Sequence, residues 1–418
     1  MSDVLDIDEI VTGGLCIGCG LCRSIAGAGA IDMVTTPEGR ERPVVLKPLP
    51  SETLATINWV CPGTRIEGAR PETLPDSAEM DPIWGPAVPA FMAVAYAGDA
   101  KTRFFGAAGG VLTALGQYLL RSGEVELVLH VRTSPDAPMR SVATVSETPA
   151  AVLDAAASRY GPAAVLEDFQ AVLARGRPLA VIAKPCDIGA VRNLAHVDDR
   201  AAALVRYCLT LACGGASDLV KSREVLDRLR VEEEELHLFR YRGHGNPGLT
   251  RIETKDGRTF ELTYQEMWGN EKGWRIQPRC KICPDAIGEA ADVVSADCWP
   301  GGSPVAEDAG FYAVMVRTRA GVRLFKGAVA DGAVVVDRPI GFRDMDRFQP
   351  HQVRKKRAVW ARLEGMAAAA MPTPVVERLR IAELAAENDA DANYREQLGA
   401  EKRARDGRLG EPPAAREG

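Results

Sequence analysis

Leu179-Ala180-Val181-Ile182-Ala183-Lys184-Pro185-Cys186-Asp187 is a short unbroken apolar run that stops at a lysine, a proline and a cysteine. Such a run reads as a strand buried on both faces, as in a parallel sheet. A second run, Leu204 to Leu211, ends two residues before Cys213 in the same way. Before them, Gly109-Gly110 opens a helical stretch, Val111 to Leu120, followed by a strand-like Val125 to Val131 and a helical Val165 to Leu173. Strands alternating with helices from about Tyr96 onward predict an α/β sheet domain. From His237 to Tyr264 the alternation of apolar and polar residues about the turn Lys255-Asp256-Gly257 predicts a small antiparallel layer.

The remaining chain is assigned around this domain. Residues 1–90 carry four cysteines and a Pro-rich run, Glu72 to Pro75 and Trp84 to Pro89, and read as a small ferredoxin-like iron-sulfur module with a linker. Residues 91–345 form the mixed α/β domain, and 346–418, dense in Ala, Glu, Arg and Lys, read as a solvated helical tail whose last ten residues are disordered. With 418 residues, 46% hydrophobic and 26% charged, the chain is an ordinary globular protein of two or three domains. A net charge of -6 argues against a nucleic-acid binder. No apolar stretch is long enough to cross a membrane and the acidic start, MSDVLDIDEIV, lacks a secretory pattern, so a cytoplasmic protein without membrane insertion is expected. In that compartment ten cysteines point to metal or redox chemistry instead of disulfides.

Cys16-Ile-Gly-Cys19-Gly-Leu-Cys22 is the strongest such signal: two successive C-x-x-C steps, with glycines that let the backbone wrap, suit three corners of a 4Fe-4S cluster. A bacterial ferredoxin would place its fourth cysteine at position 26, which is Ala26, whereas Cys61-Pro62-Gly63 supplies a cysteine-proline pair farther on. Cys61 is therefore the expected fourth ligand, with zinc or a structural staple as alternatives. Cys186 and Cys213 follow predicted strands, whose carboxyl ends line one crevice in an open parallel sheet, and Cys280-Lys-Ile-Cys283 can join them there. That set forms a second cluster site, unless Cys280 and Cys283 act alone as a redox dithiol or half a zinc site. Cys208 lies inside its strand and reads as core, and Cys298 is given no role.

Gly243-His-Gly-Asn-Pro-Gly248 matches G-x-G-x-x-G, but Pro247 and the strand pattern after it make it a turn and not a dinucleotide loop. No P-loop lysine, G-x-S-x-G or H-E-x-x-H occurs, which removes the usual support for kinase, hydrolase and metalloprotease readings. Gly109-Gly110 before a helix start is either a phosphate or flavin site or simply close packing. Of the histidines only His244, in a Gly-rich turn, is a candidate acid.

The order of CIGCGLC, CPG, AAGGVLTAL, ASRYGP, AKPCDIGAVRNL, LACGG, FRYRGHGNPG and RCKICPDAIGEAADVVSADCW resembles the coenzyme F420 hydrogenase/dehydrogenase beta-subunit family. It is also similar to the related 7-hydroxymethyl chlorophyll a reductases and ferredoxin-dependent divinyl chlorophyllide vinyl reductases. The resemblance covers Cys16 to about Trp299. It implies FAD in the α/β domain beside a 4Fe-4S cluster on Cys186, Cys213, Cys280 and Cys283, with further cluster capacity in the N-terminal module, hence two 4Fe-4S clusters in all. The flavin is implied near Gly109, Gly110, Thr113, Ser158, Arg159, Tyr160 and Lys184, with Lys184 or Arg159 favouring an anionic reduced ring by charge attraction. Where the family often has Ser-Gly-Gly, this chain has Ala108-Gly109-Gly110, so a hydroxyl is missing. The implied activity is an oxidoreductase moving electrons between a low-potential carrier, ferredoxin or coenzyme F420, and an organic acceptor. The alternative is a non-catalytic relay subunit of a larger hydrogenase or dehydrogenase, with the tail as docking element.

Overall fold

The computed structural model describes residues 4–269 and 275–414. Its centre is an eight-stranded mixed sheet. In chain order the strands are β1 (Ala93–Ala97), β2 (Leu127–Thr133), β3 (Ser141–Ser146), β4 (Leu179–Ile182), β5 (Val205–Leu211), β6 (Val293–Asp297), β7 (Tyr312–Val316) and β8 (Val334–Pro339). Across the sheet they lie in the order β8-β1-β7-β6-β5-β4-β2-β3. The pairs β2·β4, β4·β5 and β5·β6 are parallel, and the rest are antiparallel. Because β7 opposes both β6 and β1, the carboxyl ends of β1, β2, β4, β5 and β6 all reach the same edge.

The apolar run at Leu179 to Ile182 is β4, whose Leu179, Ala180 and Val181 are wholly buried. Successive strand residues point to opposite faces, and two cores result. On one face Ala180, Leu209, Val293 and Val314 pack beneath α1 (Val111–Arg121) and, through Leu324 and Phe325, beneath a second helix, Arg319–Ala330. On the other Leu179, Val181, Cys208 and Val294 meet Ile188 and Val191 of α2 (Pro185–Leu194). Cys208 is core, as expected. Three short strands, Leu236–Arg240, Thr250–Thr254 and Thr259–Leu262, form the expected antiparallel layer.

The N-terminal region is not a separate module on a linker. Ile17, Cys19, Leu21 and Val60 belong to the same core as the sheet, and the Pro-rich stretch buries Trp84 completely within it. Buried Arg317 donates to the carbonyls of Trp84 and Pro86 at 2.7 and 2.6 Å, which fixes that stretch instead of freeing it. The helix expected from Val165 starts only at Phe169, because the Leu166 amide donates to Cys19 O at 2.8 Å and turns the chain there.

The tail is helical but not a solvated appendage. Val359, Leu363 and Met366 of α3 (Pro350–Ala368) pack on Ile10, Val11, Leu15 and Cys16, and strand Val375–Glu377 pairs in parallel with Arg65–Glu67. Leu409 is buried, and Glu411 pairs with the fully buried Arg42 at 2.7 Å. Of the ten residues expected to be disordered, Leu409, Glu411 and Ala414 thus pack against the N-terminal region, Pro412 and Pro413 are exposed, and 415–418 lie outside the described residues. Among the described residues no helix is long and apolar enough to cross a membrane.

Candidate functional site

The two cysteine sets close around two cavities. Cys16, Cys19, Cys22 and Cys61 line one of about 440 Å³, whose other walls include Ile7, Ile10, Leu21, Ile57 and Val60. Gly18 and Gly20, with φ of 72° and 84°, let the chain wrap the cavity. Cys186, Cys213, Cys280 and Cys283 line a second of about 360 Å³. Cys186 comes from the start of α2, just past β4, and Cys213 from just past β5, so the crevice expected at the strand ends exists. The other pair comes from the short helix Pro278–Lys281 and the turn after it. Ile17 lines both cavities and so forms the wall between them.

The chemistry of these donors fits a thiolate-held cluster. Each set offers four sulfurs around one volume, and among the described residues no three His, Cys, Asp or Glu side chains converge tightly enough for a single ion. Amides of Gly18, Gly63 and Ala216 lie 3.3 Å from the sulfurs of Cys16, Cys61 and Cys280, placing N–H donors on the ligand atoms. Burial pushes the thiols of Cys16 and Cys213 up to about 11, and it also raises Cys19, Cys22, Cys61, Cys186 and Cys280. As bare groups they are neutral, and only a cationic centre would hold them together as thiolates.

Lys184, a candidate catalytic and flavin residue, stands on the wall of the second cavity, where its Nζ pairs with the wholly buried Asp187 at 2.8 Å. Burial works to lower the lysine pKa, and Asp187 outweighs it, so Lys184 stays charged. Sequence reasoning missed three more wall residues, Arg279, Asp285 and Lys355. Lys355 arrives from α3 and donates to Gly214 O at 3.0 Å, beside Gln352, which donates to Cys213 O at 2.9 Å.

The remaining candidates lie along the same strand-end edge. Gly109 and Gly110 follow β1, but they serve close packing: a Cβ on Gly109 would stand 2.9 Å from the Gly310 backbone, and one on Gly110 2.4 Å from Thr102 O. Thr113 is half-buried in the first turn of α1, and Ser158 is half-buried in the loop before Arg159. The Arg159 guanidinium donates to Phe239 O, Pro138 O, Arg140 O and Ser141 Oγ, which makes it a loop clamp. His244 stacks on Phe105 with centroids 4.5 Å apart, and burial lowers its pKa. It is in neither cysteine cavity.

Tyr160 belongs to a polar-aromatic cluster that the sequence did not reveal. Arg242 donates to Tyr160 Oη at 3.1 Å, pairs with Asp297 at 3.1 Å and lies 4.8 Å from the Trp299 ring centre. Trp299, just past β6, is buried, and its Nε1 has no hydrogen-bond partner among the described residues. An unpartnered buried donor beside aromatic faces at this edge suits a planar ligand with carbonyl acceptors.

Comparison with known proteins identifies the family. Residues 92–169 and 176–340 match the N-terminal and C-terminal parts described as coenzyme F420 hydrogenase/dehydrogenase, beta subunit. The chain is 29% identical over 251 residues to the F420-dependent formate dehydrogenase 1 subunit beta of Methanococcus maripaludis, covering 56% of this chain and 58% of that one. It is 23% identical over 369 residues to the coenzyme F420-dependent sulfite reductase of Methanocaldococcus jannaschii, covering 84% of this chain and 50% of that one. The matches thus span little more than half the length of these curated relatives. In fold it is similar to a chain of the F420-reducing [NiFe] hydrogenase complex from Methanosarcina barkeri, with a TM-score of 0.53 and 20% identity over 68% of this chain and 96% of that one. The chain belongs to the coenzyme F420 hydrogenase/dehydrogenase beta-subunit family.

Proposed function

We propose that this protein is an iron-sulfur flavoprotein oxidoreductase that passes electrons between a low-potential carrier and an organic acceptor. The observation that carries the reading is the pair of four-cysteine cavities separated by Ile17, the second at the strand-end edge. Cys16, Cys19, Cys22 and Cys61 would hold one 4Fe-4S cluster, and Cys186, Cys213, Cys280 and Cys283 the other. FAD would lie along the edge beside the second set, near Tyr160, Trp299 and Ser158. Bound there, a flavin exchanges one or two electrons while clusters pass one at a time, which joins hydride-type chemistry to a one-electron chain. Trp299 Nε1 would supply a hydrogen-bond donor to the flavin, and the Arg242–Asp297 pair fixes the neighbouring side chains. The names of the relatives favour coenzyme F420 over ferredoxin as the carrier.

A second reading, an electron-relay subunit of a larger complex, is favoured by the relatives named as beta subunits. Iron, sulfide and flavin content of anaerobically purified protein, with EPR before and after dithionite, tests the first statement. About eight irons and one flavin per chain support it, and zinc without flavin overturns it. Size exclusion and pull-down from the native host separate the free enzyme from the subunit.

A further inference from the structure

One side chain joins the two cysteine cavities. Arg279, the residue before Cys280, is 2% exposed and lines the second cavity. Its Nε and Nη2 both donate to Pro62 O, at 3.1 and 2.8 Å, and Pro62 follows Cys61 and lines the first cavity. A short path therefore runs from Cys61 through the Pro62 carbonyl and the Arg279 guanidinium to Cys280, a ligand of one set to a ligand of the other.

The charge on this path is as telling as its geometry. Three other buried cations have carboxylates: Arg42 has Glu411, Arg242 has Asp297 and Lys356 has Glu289. Arg159 and the fully buried Arg317 lack one but spread their donors, Arg159 over four acceptors and Arg317 over three carbonyls. Arg279 gives its donors to one carbonyl, and among the described residues no carboxylate pairs with it. A buried guanidinium so poorly compensated calls for an anion nearby. Four thiolates around four irons and four sulfides supply one, since such a centre carries net negative charge that grows by one on each one-electron reduction.

We propose that Arg279 is the shared counter-ion of the two centres, a fixed positive charge that favours the reduced state of both and holds their ligand loops in contact. The proposal rests on the two-cluster reading. It makes Arg279 a positioning residue, since the electrons travel between clusters and Arg279 neither gains nor loses one.

The test is an EPR-monitored redox titration of wild type, R279K and R279M, each with iron and sulfide assayed. R279M should lower the reduced-to-oxidised ratio of both clusters at a fixed potential by about tenfold, equivalent to about 59 mV for a one-electron couple. R279K, which keeps the charge, should stay close to wild type. Unchanged potentials in R279M, a shift in one cluster alone, or equal shifts in R279K and R279M would overturn the proposal, the last because it would mark a purely steric role. Should R279M lose one cluster, the one that remains is titrated and must still shift downward. Wild type that binds no more than about four irons defeats the two-cluster reading itself, a result distinguishable from failure of the Arg279 argument.

Discussion

Replacing Lys184 with methionine should destabilise the protein by about 3–5 kcal/mol, and the reason is the carboxylate it leaves behind. Lys184 Nζ stands 2.8 Å from Asp187, and at an effective dielectric of about 20 that separation corresponds to an attraction of about 6 kcal/mol. Desolvating each ion costs several kcal/mol, so the intact pair contributes little net stability. Asp187, however, is wholly buried near the start of α2, and among the described residues Lys184 is its one cationic partner. K184M strands that carboxylate. Urea unfolding of K184M, D187N and K184M/D187N would measure the coupling. K184M alone should show the large loss, and the double variant should recover most of it. A K184M midpoint within about 1 kcal/mol of wild type, or a double variant no more stable than K184M, would refute the argument.

Four ligand substitutions separate the two sets: C16S and C61S should each halve the iron content, C186S and C280S should halve it by loss of the other cluster, and C208A should leave it unchanged. Retention of full iron in C61S would show that Cys61 is no ligand. His130, buried against Ser146 Oγ at 2.8 Å, has its pKa lowered by burial to about 4. Its folded pKa lies below the ordinary histidine value of about 6.5, so its contribution is present above that pH and is lost as pH falls toward 4, by about 3 kcal/mol at most. Stability measured from pH 7.5 to 4 should fall less steeply in H130N than in wild type. E411Q should cost about 3 kcal/mol by leaving Arg42 buried without its carboxylate, read as a lower urea midpoint, and a neutral result would mean that the tail contact is dispensable.

The sheet was legible because its parallel strands are buried on both faces and leave largely apolar runs, unbroken at Leu179 to Ile182 and interrupted only by Arg206 and Thr210 at Leu204 to Leu211. The cysteine sets were legible by spacing at Cys16 to Cys22 and at Cys280 to Cys283, and by strand ends at Cys186 and Cys213. Lys355, Arg279 and Arg242 were not, because a lone cation carries no spacing signal and its role is decided by what distant segments bring to it. The tail misled for a different reason. Its abundant charge outweighed Val359, Leu363 and Met366, whose i, i+4, i+7 spacing is the face that packs on Leu15 and Cys16. The Pro-rich stretch misled likewise, since proline marks irregular backbone but not exposure, and Trp84 at its centre was the residue to weigh.

The first cavity draws its cysteines from residues 16–22 and 61, and the tail helix and Leu409 pack against the backbone that carries them. The second draws on residues 184–186, 213 and 279–286, with Lys355 of the same tail helix closing it. Neither donor set is preassembled by local sequence. Each becomes a site only when segments separated by tens to hundreds of residues have met, and each then concentrates thiols that burial keeps neutral in the absence of a cationic centre. Under the two-cluster proposal, loading and folding would therefore be linked, with binding free energy appearing as folding free energy. The tail and the Pro-rich stretch belong to the apparatus that makes this closure possible, which is why their charge and composition gave so poor a guide to their place.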